Sequence, residues 1–238
     1  MKTAANRLQR QHKMQSITNK TYPAYTIQDI TVIILAGGQG KRLGNQNKGL
    51  LTIDGETFIS RLLRVLEPQS AFQIISANND IDQYMHYKKK VIQDKESNYQ
   101  GPLSGIISCK DFITTPLVLT VPCDSPLIPD NLSEKLLATF NQHESTRLCV
   151  VHDGTMLQNL FMLFNVRLLD DMEAYFNRNQ RKVRTWINSH QFQSVDFSEQ
   201  ASKFTNINDA QGLHSLLEQP NQERVESSKN KSNENKSQ

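Results

Sequence analysis

Apolar residues along the chain fall into short blocks whose spacing switches between two periods. DITVIIL (29–35) is a continuous β-branched run, the pattern of a strand buried on both faces. TFISRLLRVL (57–66) instead places Phe58, Ile59, Leu62, Leu63 and Leu66 on one helical face. FQIISA (72–77), KVI (90–92), PLVLTV (116–121) and LCVV (148–151) read as further strands. DNLSEKLLATF (130–140) reads as an amphipathic helix opened by Asp130 as N-cap. This alternation predicts one α/β domain built on a mainly parallel sheet. No internal repeat and no Pro/Gly/Ser linker divides it. The domain is expected over 28–218, between a flexible basic extension (1–27) and a disordered polar tail (219–238).

Charge refines that picture at the ends. Of 27 basic and 24 acidic residues, five basic and no acidic ones lie in 1–28, and four basic and three acidic ones in 219–238. The stretch between keeps 18 basic against 21 acidic groups, a net −3. A nucleic-acid binder would carry its positive stripe on the folded body, so no such partner is expected. No apolar run approaches the roughly 20 residues that span a bilayer, and no membrane partner is expected. The N-terminal segment also lacks the apolar core of a secretory signal. Three cysteines (Cys109, Cys123, Cys149), odd in number and without a CxxC pair, argue against a disulfide framework or a thiolate zinc site. They fit a reducing cytoplasm.

Candidate chemistry concentrates after the first strand. Five of the ten glycines (Gly37, Gly38, Gly40, Gly44, Gly49) fall within thirteen positions, among Lys41, Arg42 and Lys48 and without an acid. Glycine lets backbone N–H groups approach an anion closely. Open α/β sheets place ligands just past such a strand, and Arg and Lys neutralise phosphate oxygens. A polyphosphate site is predicted. It is not a Walker loop, because Leu50 and Leu51 follow the second glycine of the Gly44–Gly49 spacing. Nor is it a dinucleotide fingerprint, because Leu43 stands where the third glycine belongs. In LVLTVPCDSPLIP (117–129), Asp124 follows a buried strand, where it suits either Mg2+ on nucleotide phosphates or a turn cap. Taken with the glycine loop, the metal reading prevails. Cys123 reads as a buried small residue rather than a nucleophile. His152 is either a substrate contact or a plain strand end, and Arg181, Lys182 and Arg184 either bind an acceptor's phosphate or line a solvated helix face.

LAGGQGKRLGNQNKGL (35–50), GPLSG (101–105), VPCDSP (121–126) and FTNINDAQGL (204–213) together resemble the molybdenum cofactor guanylyltransferases. The resemblance runs in order from about Ile30 to Leu217, and the loop is similar to that family's LAGGxxxRMGGxDKGLL signature. Leu35-Ala36-Gly37-Gly38 stands where related cytidylyltransferases read LAAG. The resemblance implies a Rossmann-like nucleotidyltransferase fold, with helices on both faces of the sheet. It implies transfer of GMP from GTP to molybdenum-molybdopterin, Mg2+ as cofactor, and the molybdenum-inserting enzyme and acceptor molybdoenzymes as partners. Leu35, Ala36, Gly37, Gly38, Ser76 and Asp94 fall on nucleotide-binding positions, Arg42 and Lys48 on the phosphates, and Asp124 on both GTP and metal. Asn206 and Asn208 match an Asn-x-Asn near the metal, Asn208 as a ligand, or else form a helix cap.

Some positions depart from the family. Asn47 stands where Asp is usual, Asn45 where Gly is usual, and Ser76 where an Asn contacts nucleotide. DGTMLQNLFML lacks the His-Pro of the substrate-side strand. Two rival readings therefore remain. One is a nucleotidyltransferase for another acceptor, of cytidylyl or sugar-phosphate type. The other is a nucleotide-binding partner protein that has lost turnover, supported by Asn47 and Ser76.

Overall fold

The first β-branched run becomes strand β1 (Ile30–Leu35), and its lack of alternation has a plain cause: Ile30, Val32, Ile33 and Ile34 are all 0% exposed. The computed structural model describes residues 24–38, 47–95, 100–142 and 144–207. After β1 come a small hairpin, β2 (Thr52–Ile53) and β3 (Glu56–Thr57), then helix α1 (Phe58–Leu66) and β4 (Phe72–Ser76). Helix α2 (Ile81–Met85), β5 (Lys90–Ile92), helix α3 (Pro102–Ser108) and β6 (Leu117–Pro122) follow. The rest is α4 (Leu132–Phe140), β7 (Leu148–His152), β8 (Leu157–Asn165), α5 (Leu168–Asn177), α6 (Val183–Asn188) and β9 (Gln193–Asp196).

Seven strands form one sheet in the order β5-β4-β1-β6-β8-β7-β9. All run parallel except β8, which lies antiparallel between β6 and β7. On one face, Ile59, Leu62 and Leu66 of α1 and Leu132, Leu136 and Phe140 of α4 pack on Val32, Ile34, Leu119 and Val121. On the other, Ile106 of α3, Met172 of α5 and Trp186 of α6 pack on Ile33, Val118 and Met162. The fold is the expected α/β architecture, helices on both faces of a mainly parallel sheet. Among the described residues no helix is long and apolar enough to cross a membrane.

Two local expectations are corrected. Asp130 does not cap α4: the helix begins at Leu132, and the Ser133 N–H donates instead to Gln69 Oε1 (3.0 Å), supplied from beyond the end of α1. The folded body also begins ahead of residue 28. Tyr25 meets Phe140 edge-on with ring centroids 5.7 Å apart. The Asn141 side chain brackets the Tyr25 backbone, accepting from its N–H (3.0 Å) and donating to its C=O (2.9 Å). Thr26 and Asp29 close a capping box over the turn Ile27–Asp29. Tyr25 and Ile27 thus cover apolar surface that a flexible extension would leave open.

Candidate active site

The C-terminal ends of β5, β4, β1 and β6 meet along one edge and are laced together by main-chain bonds. Ala36 N donates to Ser76 O (2.7 Å), Ala77 N to Ile92 O (2.9 Å) and Cys123 N to Leu35 O (3.0 Å). Strand order reverses at β1, whose neighbours β4 and β6 lead to opposite halves of the sheet. Such a switch point leaves a crevice outside the strand ends. Leu35, Ala36, Gly37 and Gly38 enter it from β1, with Ala36 buried and Gly38 exposed.

One group of side chains gathers past β6. Lys48 opens a tight 3-10 turn (Lys48–Leu50), and its Nζ lies 3.2 Å from Asp124 Oδ2, the side chains being 20% and 22% exposed. Asp124 is fixed from behind: its C=O accepts from Ile207 N (2.7 Å), and the neighbouring Ser125 hydroxyl donates to Asn206 Oδ1. Residues 205–207 are thereby drawn against the Asp124 turn, so Asn206 sits beside it. Burial, reinforced by the Asp124 charge, pushes the Cys123 thiol up to about 12, although the Gly49 N–H and Lys48 lie against it. A thiol so held is neutral near pH 7 and no nucleophile.

A second group gathers past β4 and β5. Asn78 Oδ1 accepts from Asp94 N (2.9 Å), and its Nδ2 faces Gly37, where a Cβ would stand 3.0 Å away. Burial raises the Asp94 carboxyl above its ordinary value, against the pull of hydrogen bonds from Asn78 and Ser104. Helix α3 presses on this group through Gly105, whose absent Cβ would come 2.5 Å from Ser76 Oγ and 3.5 Å from both Asp94 Oδ1 and Leu35 Cδ2. Just before α3, Gln100 Oε1 accepts from Arg181 Nε (2.9 Å) and from its Nη2, while the guanidinium lies 3.8 Å from the Phe176 ring centroid.

Leu35, Ala36, Gly37, Gly38, Lys48, Asp94 and Asp124 thus share one edge of the sheet. Ser76 is 2% exposed, its hydroxyl covered by Gly105, so its side chain lies beneath the crevice. Of the basic cluster, Arg181 is engaged in holding Gln100, while Lys182 and Arg184 are exposed. His152 Nδ1 accepts from Gly154 N (3.0 Å) and shapes the turn after β7. Arg42 and Asn208 lie outside the described residues, as do 39–46 of the glycine loop. Asn78 escaped the sequence reading, and Ser104 and Gly105 entered it only as part of GPLSG, with no role of their own. For Gly105 a signal existed, since glycine inside a helix often marks close backbone approach; for Asn78 there was none beyond a polar residue past a strand.

Mg2+ takes oxygen donors, commonly one or two carboxylates alongside phosphate oxygens and water. The Asp124 carboxylate fits that role. Among the described residues no group of three His, Cys, Asp or Glu could cage an ion.

A lysine–aspartate pair at one end of the edge and a half-buried carboxylate at the other stand in the crevice where such a fold takes its ligands, an arrangement that suits a nucleotide. Comparison with known proteins agrees. A guanylyltransferase of the molybdenum cofactor from Vibrio cholerae is 36% identical over 197 residues, covering 83% of this chain and 96% of the relative. One of the same name from Shewanella sediminis is 33% identical over 189 residues, covering 79% and 96%. The crystal structure of molybdopterin-guanine dinucleotide biosynthesis protein A from Archaeoglobus fulgidus shares the fold, with a TM-score of 0.66 at 17% identity over 79% of this chain and 97% of that one. The chain belongs to the MobA-like NTP transferase family, whose domain model matches residues 32–195.

Proposed function

We propose that this chain transfers GMP from GTP to molybdenum-molybdopterin, releasing pyrophosphate and forming the guanine dinucleotide cofactor. The observation that carries the reading is the Lys48–Asp124 pair, 3.2 Å apart beside the glycine strand end. It offers a cation to phosphate oxygens and a carboxylate to a metal. Relatives named for this activity, alike over about four fifths of the chain, support the same acceptor.

The acceptor is a phosphate, already an anion, so attack on the α-phosphorus of GTP needs no general base. A new P–O bond forms in line as the bond to the bridging oxygen breaks, and its electron pair leaves with pyrophosphate. Lys48 stabilises the charge that builds there, while Gly37 and Gly38 let the phosphates approach the backbone. Asp124 and Asn208 would hold Mg2+, which when bound neutralises phosphate charge. Arg42, a cation of the same glycine-rich stretch, joins Lys48 on the phosphates, its fork able to grip two oxygens. Asp94, oriented by Asn78 and Ser104, suits the paired N1–H and N2–H donors of guanine, an edge that cytosine and adenine lack. Three buried free thiols suit a reducing cytoplasm, where the molybdenum-inserting enzyme and acceptor molybdoenzymes would be its partners.

The test is an assay of GMP attachment to molybdenum-molybdopterin together with pyrophosphate release, run in parallel with GTP, CTP and ATP. Turnover with GTP alone is expected. Equal turnover with CTP would favour the cytidylyl reading, and nucleotide binding without pyrophosphate release would make the chain a binding protein.

A further inference from the structure

Lys48 is preceded by a side chain that does more than start a turn. Asn47 Oδ1 accepts from the Tyr84 hydroxyl (2.6 Å) and from Gly49 N (3.2 Å), while Asn47 Nδ2 donates to Asp80 Oδ2 (3.0 Å). Asp80 stands immediately before α2 in a left-handed conformation (φ 52), and its Oδ1 accepts from Gln83 Nε2 (3.4 Å). Tyr84 comes from within α2 and is fully buried. One amide therefore ties the turn that carries Lys48 to two points of a neighbouring helix. The approach is close: a Cβ on Gly49 would collide with the Tyr84 hydroxyl.

Each contact has a direction. The Tyr84 O–H and Gly49 N–H require an acceptor, and the Asp80 carboxylate requires a donor. A primary amide supplies both. A carboxylate at 47 would keep the first two partners but set a like charge against Asp80, and an apolar side chain would strip all three. Burial raises the Tyr84 hydroxyl above the ordinary phenol value, so it keeps its proton well into the alkaline range. We propose that Asn47 is a positioning residue for Lys48, matched to Asp80, so that the Tyr84–Asn47–Asp80 chain aims the lysine at Asp124 and the phosphates. The inference rests on reading Lys48 as a phosphate ligand.

A charge exchange tests it in the full-length chain, with GTP affinity measured by calorimetry in the presence of Mg2+ and a thermal midpoint taken without nucleotide. Asn47→Asp is expected to weaken GTP binding about tenfold, the effect of one misdirected contact. Adding Asp80→Asn puts a donor opposite the new carboxylate, and affinity should return to within about threefold of the parent. A purely structural role would lower the midpoint of Asn47→Asp and leave the affinity of the folded protein unchanged. That result overturns the inference, as does a double exchange binding no better than Asn47→Asp. If Asn47→Asp fails to fold, Tyr84→Phe, which removes one hydroxyl from the chain, serves instead: weaker GTP binding is expected, and undiminished binding overturns the inference. A parent chain that binds no GTP overturns the phosphate reading and the inference with it. A parent that binds GTP, with variants indifferent, overturns the inference alone.

Discussion

Asp124 and Asp94 are both carboxylates at strand ends, and their surroundings ask different things of them. Asp124 faces a cation, so Asp124→Asn keeps the shape and loses the charge. The variant should fold, while GMP transfer falls by two or more orders of magnitude, roughly 3 kcal/mol of transition-state stabilisation. Initial rates and thermal midpoint on the same preparation decide the matter; a folded, fully active variant would remove Asp124 from the metal site. Asp94 is instead held above its ordinary value by burial. For such an acid the ionised form is disfavoured in the fold, so its contribution to stability falls as pH rises through the folded pKa and levels off below the unfolded one. Asp94→Asn removes that titration. Its midpoint should match or exceed the parent's at about pH 8, with the difference shrinking toward the ordinary carboxylate range. GTP affinity should move the opposite way, because an amide can turn an N–H toward a guanine edge that itself donates. Undiminished GTP binding would take Asp94 out of the base site.

Helix α3 comes as near the strand ends as Gly105 permits. Gly105→Ala would drive a methyl to 2.5 Å from the buried Ser76 hydroxyl. We expect a loss of about 1–3 kcal/mol from overpacking, read by denaturant midpoint, with weaker GTP binding as α3 backs away from Asp94. Replacing Ser76 by Ala in the same chain should recover part of that loss; no recovery would mean the strain lies elsewhere. The sequence carried little of this. Strands β1, β4, β5, β6 and β7 were legible because each is an apolar run, and α1 and α4 because their apolar positions return every three or four residues. Helix α3 holds a proline and a glycine, and β9 buries only Val195 of its four residues, so neither shows a period. Nothing local places β8 antiparallel between β6 and β7, since strand order is decided by packing across the sheet. The site divides in the same way. Lys48 and Asp124 stood out because cations among glycines and an acid past a strand are local patterns. The joining of Asn78 to Asp94 depends on β4 lying beside β5, and the Asp130 cap was displaced by Gln69 from another element.

Over the whole molecule the two edges of the sheet have separate duties. Tyr25 and Ile27 pack near the end of α4 and the start of β1, the edge opposite the crevice. A chain begun at Asp29 should therefore melt below one begun at Ala24 yet bind GTP equally well; equal midpoints would show that Ala24–Gln28 adds no stability. The three cysteines sample this division from inside. Cys149 lies in β7 and Cys109 just past α3, while Cys123 lies beneath the Lys48 turn; all are free and buried, with thiols pushed up to about 12 chiefly by burial. A thiol reagent added near neutral pH thus times the opening of whatever covers each sulfur. Cys123 should be labelled each time the Lys48 turn lifts, Cys109 when the end of α3 opens, and Cys149 only when the sheet itself parts. With GTP and Mg2+ added, peptide mapping should show Cys123 labelling slowed far more than the other two. Equal slowing of all three would mean that the turn has no motion of its own and that the crevice and the core open as one body.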